Sequence, residues 1–354
     1  MAGSGKTAVV LFNLGGPDSL AAVRPFLFNL FNDPAIIGAP APIRWLLAQL
    51  ISRRRAPVAR DIYREIGGAS PILPNTQAQA QALETVLNRD RESAAVYKVF
   101  IAMRYWHPRA SAAAAAIQAY APDRIVLLPL YPQYSSTTSG SSLGEWAAAA
   151  KRAGLTAPSC AICCYPQMNG FIEAMAAGIR PHLEAARARG PVRLLLSAHG
   201  LPKSIVSRGD PYQWQVEQTA AALAAHLAAH LDDAHLDWRI CYQSRVGPLD
   251  WIGPATDAEI VRAGQERRAL VIAPIAFVSE HSETLVELDI EYARLAREAG
   301  VLAYQRAPTV DARDTFIAGL ADLVRTAAGS ARPLRAAGGD RLCPAACGLC
   351  PLPG

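Results

Sequence analysis

The sequence predicts an α/β protein built on two parallel sheets flanked by helices, and three observations carry that prediction. Short aliphatic and β-branched runs recur along the chain, and most lead into Gly, Pro, Ser or His, as buried parallel strands do. Longer helical patterns separate them, which implies βαβ units. The 354 residues are ample for two such sheets. Hydrophobic residues make up 51% of the chain and charged ones only 18%, which excludes disorder throughout. A formal net charge of +5 is too mild to argue for nucleic acid, and none is expected as a partner. No apolar stretch reaches the ~18 residues needed to cross a bilayer, and no secretory cleavage pattern is visible. A cytoplasmic protein is expected, soluble or peripherally bound.

Taken in order, the strands are expected at 8–13, 96–103, 124–130, 159–165, 192–198, 237–242 and 270–277. Helices are expected between them at 77–88, 110–119, 143–153, 170–188 and 213–229, with the joint between the two sheets near 150–169. The alanine-rich run Ala112 to Ala116 is a strong helix former. Gly3-Ser4-Gly5-Lys6-Thr7 ends like a phosphate-binding loop, but it precedes its strand where that motif must follow one, so nucleotide binding is not expected there.

Ligands of doubly wound folds bind beyond the carboxyl ends of strands, and those ends are rich in chemistry. The first leads into Asn13-Leu14-Gly15-Gly16 and the second into Arg104-Tyr105-Trp106-His107. The third leads into Tyr131 and a hydroxyl run from Ser135 to Ser142, and the fifth into His199-Gly200-Leu201-Pro202. A strand-end histidine can simply hydrogen-bond a loop. It is also where a proton acceptor that ordinarily titrates at about pH 6.5 would be exposed.

The segment from Ser279 to Glu291 is the second informative element. At about 100° per residue, Glu280, Glu283, Glu287 and Glu291 share a stripe about 80° wide. Like charges at that spacing repel, and the segment itself contains no Lys or Arg. A solvated face is the ordinary explanation. Leu288 and Ile290 flank the stripe, however, which suits a hemmed-in path or ligand set for a hard cation.

Two further regions stand out. The stretch from Pro25 to Leu47 is unusually apolar around its prolines and is followed by Arg53-Arg54-Arg55. It reads either as core or as an apolar lip beside a basic cluster, suited to an anionic membrane surface. The seven cysteines are an odd count and no disulfide scaffold. Six gather at Cys160, Cys163 and Cys164 and in the tail at Cys343, Cys347 and Cys350, with Cys241 on its own. Three tail thiolates cannot close a four-ligand site alone. Incidental thiols on a frayed end are the alternative to a metal or cluster site.

The segments LFNLGGPDS, YREIGGASPI, FIAMRYWHP, LPLYPQYS, SAHGLPKSIVSRGDPY, YQSRVGPLDWIGPATDAEI and PIAFVSEHSETLVELDIEY together resemble the ferrochelatases, which insert ferrous iron into a porphyrin in haem synthesis. The resemblance runs from Leu11 to about Leu323. It implies two Rossmann-like lobes, 7–150 and 151–313, with the porphyrin in a cleft between them. It further implies a helical segment 314–335 packing back on the first lobe, and the cysteine tail 336–354.

Carried over by position, His199 is implied as a metal ligand and acceptor of pyrrole protons, Glu283 as its carboxylate partner, and Glu287 and Glu291 as the acidic line beyond. Arg104, Tyr105, Tyr63, Ser70 and Trp251 are implied at the macrocycle, with Leu14 where some relatives carry Met. Arg54 and Arg55 are implied near the pocket lip, which in relatives touches the membrane. Gly67-Gly68-Ala69-Ser70 departs from the commoner third glycine. Some ferrochelatases hold a [2Fe–2S] cluster on three tail cysteines and one internal one. The resemblance therefore implies Cys343, Cys347 and Cys350 with Cys164, while Cys160 and Cys163 stay open and zinc is the rival occupant. The implied function is ferrous iron insertion into protoporphyrin IX. Coproporphyrin as substrate and a non-catalytic tetrapyrrole or iron carrier are the alternatives. A dinucleotide enzyme is disfavoured, because no G-x-G-x-x-G follows the first strand. The oligomeric state stays open, a homodimer included.

Overall fold

The run KTAVVLFN becomes the strand β1 (Lys6–Asn13), in which every residue from Thr7 onward is buried. A strand covered on both faces has no polar side to show, which explains an unbroken apolar run rather than alternation. The computed structural model describes residues 5–89, 95–231, 235–245 and 247–353. Gly3 and Ser4 of the glycine-rich segment and Val246 of the YQSRVGPLDW motif lie outside them.

β1 is flanked in parallel by β2 (Val96–Met103) and β3 (Arg124–Pro129). β4 (Ser159–Ile162) follows on the β3 side. A second parallel sheet contains β5 (Val192–His199), β6 (Trp238–Gln243), β7 (Ala269–Pro274) and β8 (Tyr304–Arg306), in the order β6-β5-β7-β8. A two-residue strand β9 (Leu334–Arg335) completes the first sheet as β2-β1-β3-β4-β9. The chain divides into two compact units, residues 1–164 with 320–341 and residues 165–319 with 342–354.

The two-sheet α/β reading holds, and the differences have local causes. The strand expected at 270–277 stops at Pro274, and the one at 159–165 stops at Ile162. β8 and β9 went unpredicted because three and two residues carry no readable period. The apolar stretch near the N-terminus forms two helices, Val23–Phe31 and Ala41–Glu65, the second with Pro57 inside it. The acidic segment departs most. Glu283–Tyr292 is a π-helix, whose hydrogen bonds close one residue wider than those of an α-helix. Glu280 precedes it and takes no part in a helical stripe.

The tail is no frayed end. Leu349 N–H donates to the Gly209 carbonyl at 3.0 Å, the Gln215 amide lies 3.1 Å from the Cys343 sulfur, and Leu352 is buried. Gly209 has φ +98°, and a Cβ there would stand 2.6 Å from the Gly348 nitrogen. Only glycine suits both the backbone conformation and the approach.

Candidate active site

β5 lies between β6 and β7, with His199 in register with Gln243 and Ser197 in register with Pro274. Three carboxyl ends therefore meet, and the π-helix begins nine residues after β7, at Glu283. His199 Nδ1 is 2.9 Å from Glu283 Oε2. Glu283 Oε2 also lies 3.6 Å from His281 Nε2, and the Tyr212 hydroxyl donates to the His199 carbonyl at 3.1 Å. The His199 side chain keeps 39% of its surface open.

The charges are mutually set. Burial alone would lower the His199 pKa, but the Glu283 carboxylate beside it holds it above the ordinary value. Burial alone would raise Glu283, yet the charge and hydrogen bond of His199, with His281 behind, hold it well below the carboxylate range. Glu287 goes the other way. Burial and the neighbouring Glu283 charge raise it, against hydrogen bonds from Ser244 and Gln243.

Glu287 is held by four donors. Oε1 accepts from Ser244 N–H at 2.7 Å and Tyr292 Oη at 3.0 Å. Oε2 accepts from the Gln243 amide at 3.0 Å and the Ser244 hydroxyl at 2.5 Å. Gln243 also receives the Ser197 hydroxyl at 2.8 Å and donates to the Glu283 carbonyl at 2.9 Å. Strand ends and π-helix are thus tied through one buried amide. Trp251 lies against the same end of β5: a Cβ on Gly200 would meet its ring at 3.2 Å.

The expected acidic line is gathered only in part. Glu283 and Glu287 join His199, Glu291 is exposed, and Glu280 turns away to Arg306 Nη1 at 2.6 Å. The segment itself contains no Lys or Arg, and the cation that meets Glu280 comes from β8, outside it. Gln243, Ser244, Tyr212 and His281 were not singled out in the sequence, although Gln243 stands at a strand end.

In the first unit, Arg104 is fully engaged. It donates to the Ser141 hydroxyl at 2.7 Å and pairs with Asp33 at 2.8 Å and Glu145 at 3.3 Å. Tyr105 is buried, its hydroxyl donating to Asp33 at 2.7 Å. Burial, reinforced by Asp33, raises its pKa well above the usual phenol value. Tyr63 packs in the cluster of Val23, Phe26, Leu27 and Tyr105. Ser70 is buried and Leu14 half-buried, and the Ser70 hydroxyl would stand 2.4 Å from a Cβ on Gly16. Arg54 and Arg55 are exposed, Arg55 over the Phe31 ring at 5.9 Å.

Cys163 and Cys164 have their sulfurs 2.9 Å apart, and Cys160 and Cys343 are buried. Among the described residues no three His, Cys, Asp or Glu side chains are grouped to hold a metal ion. Of the implied cluster set, Cys164 lies in the first unit and Cys343, Cys347 and Cys350 lie in the second.

The family model of the ferrochelatases matches residues 6–328. The chain belongs to the ferrochelatase family. It is 55% identical over 345 residues to the ferrochelatase of Phenylobacterium zucineum (strain HLK1), covering 98% of this chain and 97% of that one. The ferrochelatase of Caulobacter vibrioides is 55% identical over 326 residues, 92% of this chain and 91% of the other. Among solved structures, the sirohydrochlorin chelatase SirB of Bacillus subtilis subspecies spizizenii, in complex with cobalt, matches with a TM-score of 0.51. The identity is 12%, over 91% of this chain and 95% of that one, so the likeness is one of fold. The ferrochelatase resemblance and the α/β architecture are both borne out.

Proposed function

We propose that this chain inserts ferrous iron into protoporphyrin IX, with His199 and Glu283 as the working pair. The carrying observation is the 2.9 Å contact between His199 Nδ1 and Glu283 Oε2. With Glu283 ionised, Nδ1 carries a proton toward it and Nε2 presents its lone pair, where a pyrrole N–H can be met. Insertion exchanges two pyrrole protons for Fe²⁺, so the charge on the macrocycle balances. Imidazole takes a proton and becomes imidazolium beside a carboxylate that stabilises it. Glu283, held low, stays the anion; Glu287, held high, is the better proton acceptor beyond it. His199 and Glu283 also offer the nitrogen and oxygen ligands with which Fe²⁺ can shed water.

The deciding experiment is anaerobic incubation with Fe²⁺ and protoporphyrin or coproporphyrin, followed by product spectra. His199→Ala and Glu283→Gln are each expected to lower kcat by about 10²–10⁴ with the fold intact. Near-normal turnover in either removes that residue from the reaction. Protoporphyrin is preferred because the side chains of Ile43, Trp45, Leu46, Leu47 and Leu50 are exposed, a surface matched to the less charged macrocycle. These residues share the helix Ala41–Glu65 with Arg53, Arg54 and Arg55, which supports peripheral attachment to an anionic membrane.

A [2Fe–2S] cluster is a separate proposal. It rests on the density of tail thiols, and no step of the reaction runs through it. Anaerobic purification with visible absorption and iron–sulfide analysis tests it. A colourless, sulfide-free protein with an intact tail ends it.

A further inference from the structure

β8 is the edge strand of the second sheet, and two of its three side chains reach the π-helix. The Tyr304 hydroxyl donates to the Leu288 carbonyl at 2.7 Å. Arg306 forks onto Asp289, Nε to Oδ1 at 2.7 Å and Nη2 to Oδ2 at 2.5 Å. Its remaining terminal nitrogen, Nη1, reaches Glu280 Oε1 at 2.6 Å, and the same oxygen accepts the Thr309 N–H at 3.0 Å. Glu280 and Asp289 bracket Glu283 and Glu287 in the chain, so one guanidinium grips the acidic segment on both sides of its working carboxylates. The Arg306 side chain is only 13% exposed, where a planar fork is a rigid tie rather than a mobile surface pair.

A π-helix is a rare register that marks functional sites, and this one needs holding from outside. Core packing through Leu288 fixes which face is buried but does not by itself set how far Glu283 is carried toward His199. We propose that Arg306, assisted by Tyr304, is a positioning residue that keeps the π-helix in the register where Glu283 meets His199. It acts through Glu280 and Asp289 and does not touch the reacting atoms. This rests on the reading of His199 and Glu283 as the working pair. A displacement of about 1 Å at a reacting group costs up to about a hundredfold in rate, so slackening the clamp falls on turnover rather than on porphyrin binding.

The test is anaerobic steady-state turnover of the full chain with Fe²⁺ and protoporphyrin IX. Rates are normalised to molecules that bind porphyrin by fluorescence titration. The variants are Arg306→Gln, Arg306→Lys, Tyr304→Phe and Asp289→Asn, with His199→Ala as control. Arg306→Gln is expected to lower kcat about tenfold or more while the porphyrin KM moves by no more than about twofold. Arg306→Lys keeps the charge but not the fork and recovers part of the loss; Tyr304→Phe shows a smaller one. Should Arg306→Gln not fold, Asp289→Asn opens the same fork from the helix side. An unchanged kcat per binding-competent molecule overturns the proposal, as does a loss that consists wholly of fewer such molecules. If His199→Ala is inactive while Arg306→Gln turns over normally, the clamp alone fails. If His199→Ala turns over normally, the working pair fails and the clamp with it.

Discussion

Glu280 and Glu283 sit three positions apart in one acidic segment and face opposite partners, one a guanidinium and the other an imidazole. Burial pushes the Glu280 carboxyl up, but Arg306 and the Thr309 N–H together hold it below its ordinary value of 4.5. A lowered carboxylate pKa adds stability that is present above the unfolded value and lost as pH falls through the folded one. Glu280→Gln is therefore expected to cost about 1–3 kcal/mol at pH 7, with the gap from wild type closing on acidification below pH 4.5. Urea unfolding at several pH values measures it, and an equal gap throughout would exclude the ion pair as the cause. Side-chain spacing made four glutamates look equivalent. Arg306 lies 26 residues from Glu280, and no local pattern could reveal that β8 brings it there. His199 was legible because a strand end, a glycine and a proline announce an exposed position; Gln243 also stands at a strand end, but its glycine and proline, Gly247 and Pro248, come further along the chain.

The elements that were readable are those whose burial writes itself into the chain. β2 was predicted at its observed bounds, and β5 was missed by only its last residue, His199. The π-helix was not readable, since a 100° reading presumes the α register and the wider one leaves no mark in residue type. The helix Ala41–Glu65 was hidden by Pro57 and by a surface that is apolar where a solvated helix would be polar. The docked tail depends on Gly209. Gly209→Ala combines a left-handed backbone with a Cβ 2.6 Å from the Gly348 nitrogen, so a loss of about 1–3 kcal/mol is expected. Thermal unfolding of the variant, beside limited proteolysis of the tail, reads both effects. A variant with wild-type melting and an equally resistant tail would show that this contact does not hold the tail.

For the whole molecule, no helix among the described residues is long and apolar enough to cross a membrane. Attachment would therefore rest on the exposed side chains of Trp45, Leu46, Leu47 and Leu50 and on the three adjacent arginines. Vesicles rich in anionic lipid are expected to sediment with the protein at low ionic strength and release it as salt rises, because the arginine contribution is screened within about 10 Å at 0.1 M. Leu46→Glu with Leu50→Glu should abolish the association while leaving thermal unfolding unchanged, because both side chains are exposed. Salt-independent binding, or binding that survives both substitutions, would place the contact elsewhere.

β9 has an implication for synthesis. The first unit draws residues 320–341 from near the end of the chain, and its sheet gains its outermost strand from Leu334 and Arg335. Translation delivers polypeptide at about 5–20 residues per second, so the amino-terminal half emerges well before the segment that finishes its sheet. The half that is made first is thus completed last, and a nascent chain halted after the second sheet would still expose β4 as an unpaired ribbon edge open to foreign strands.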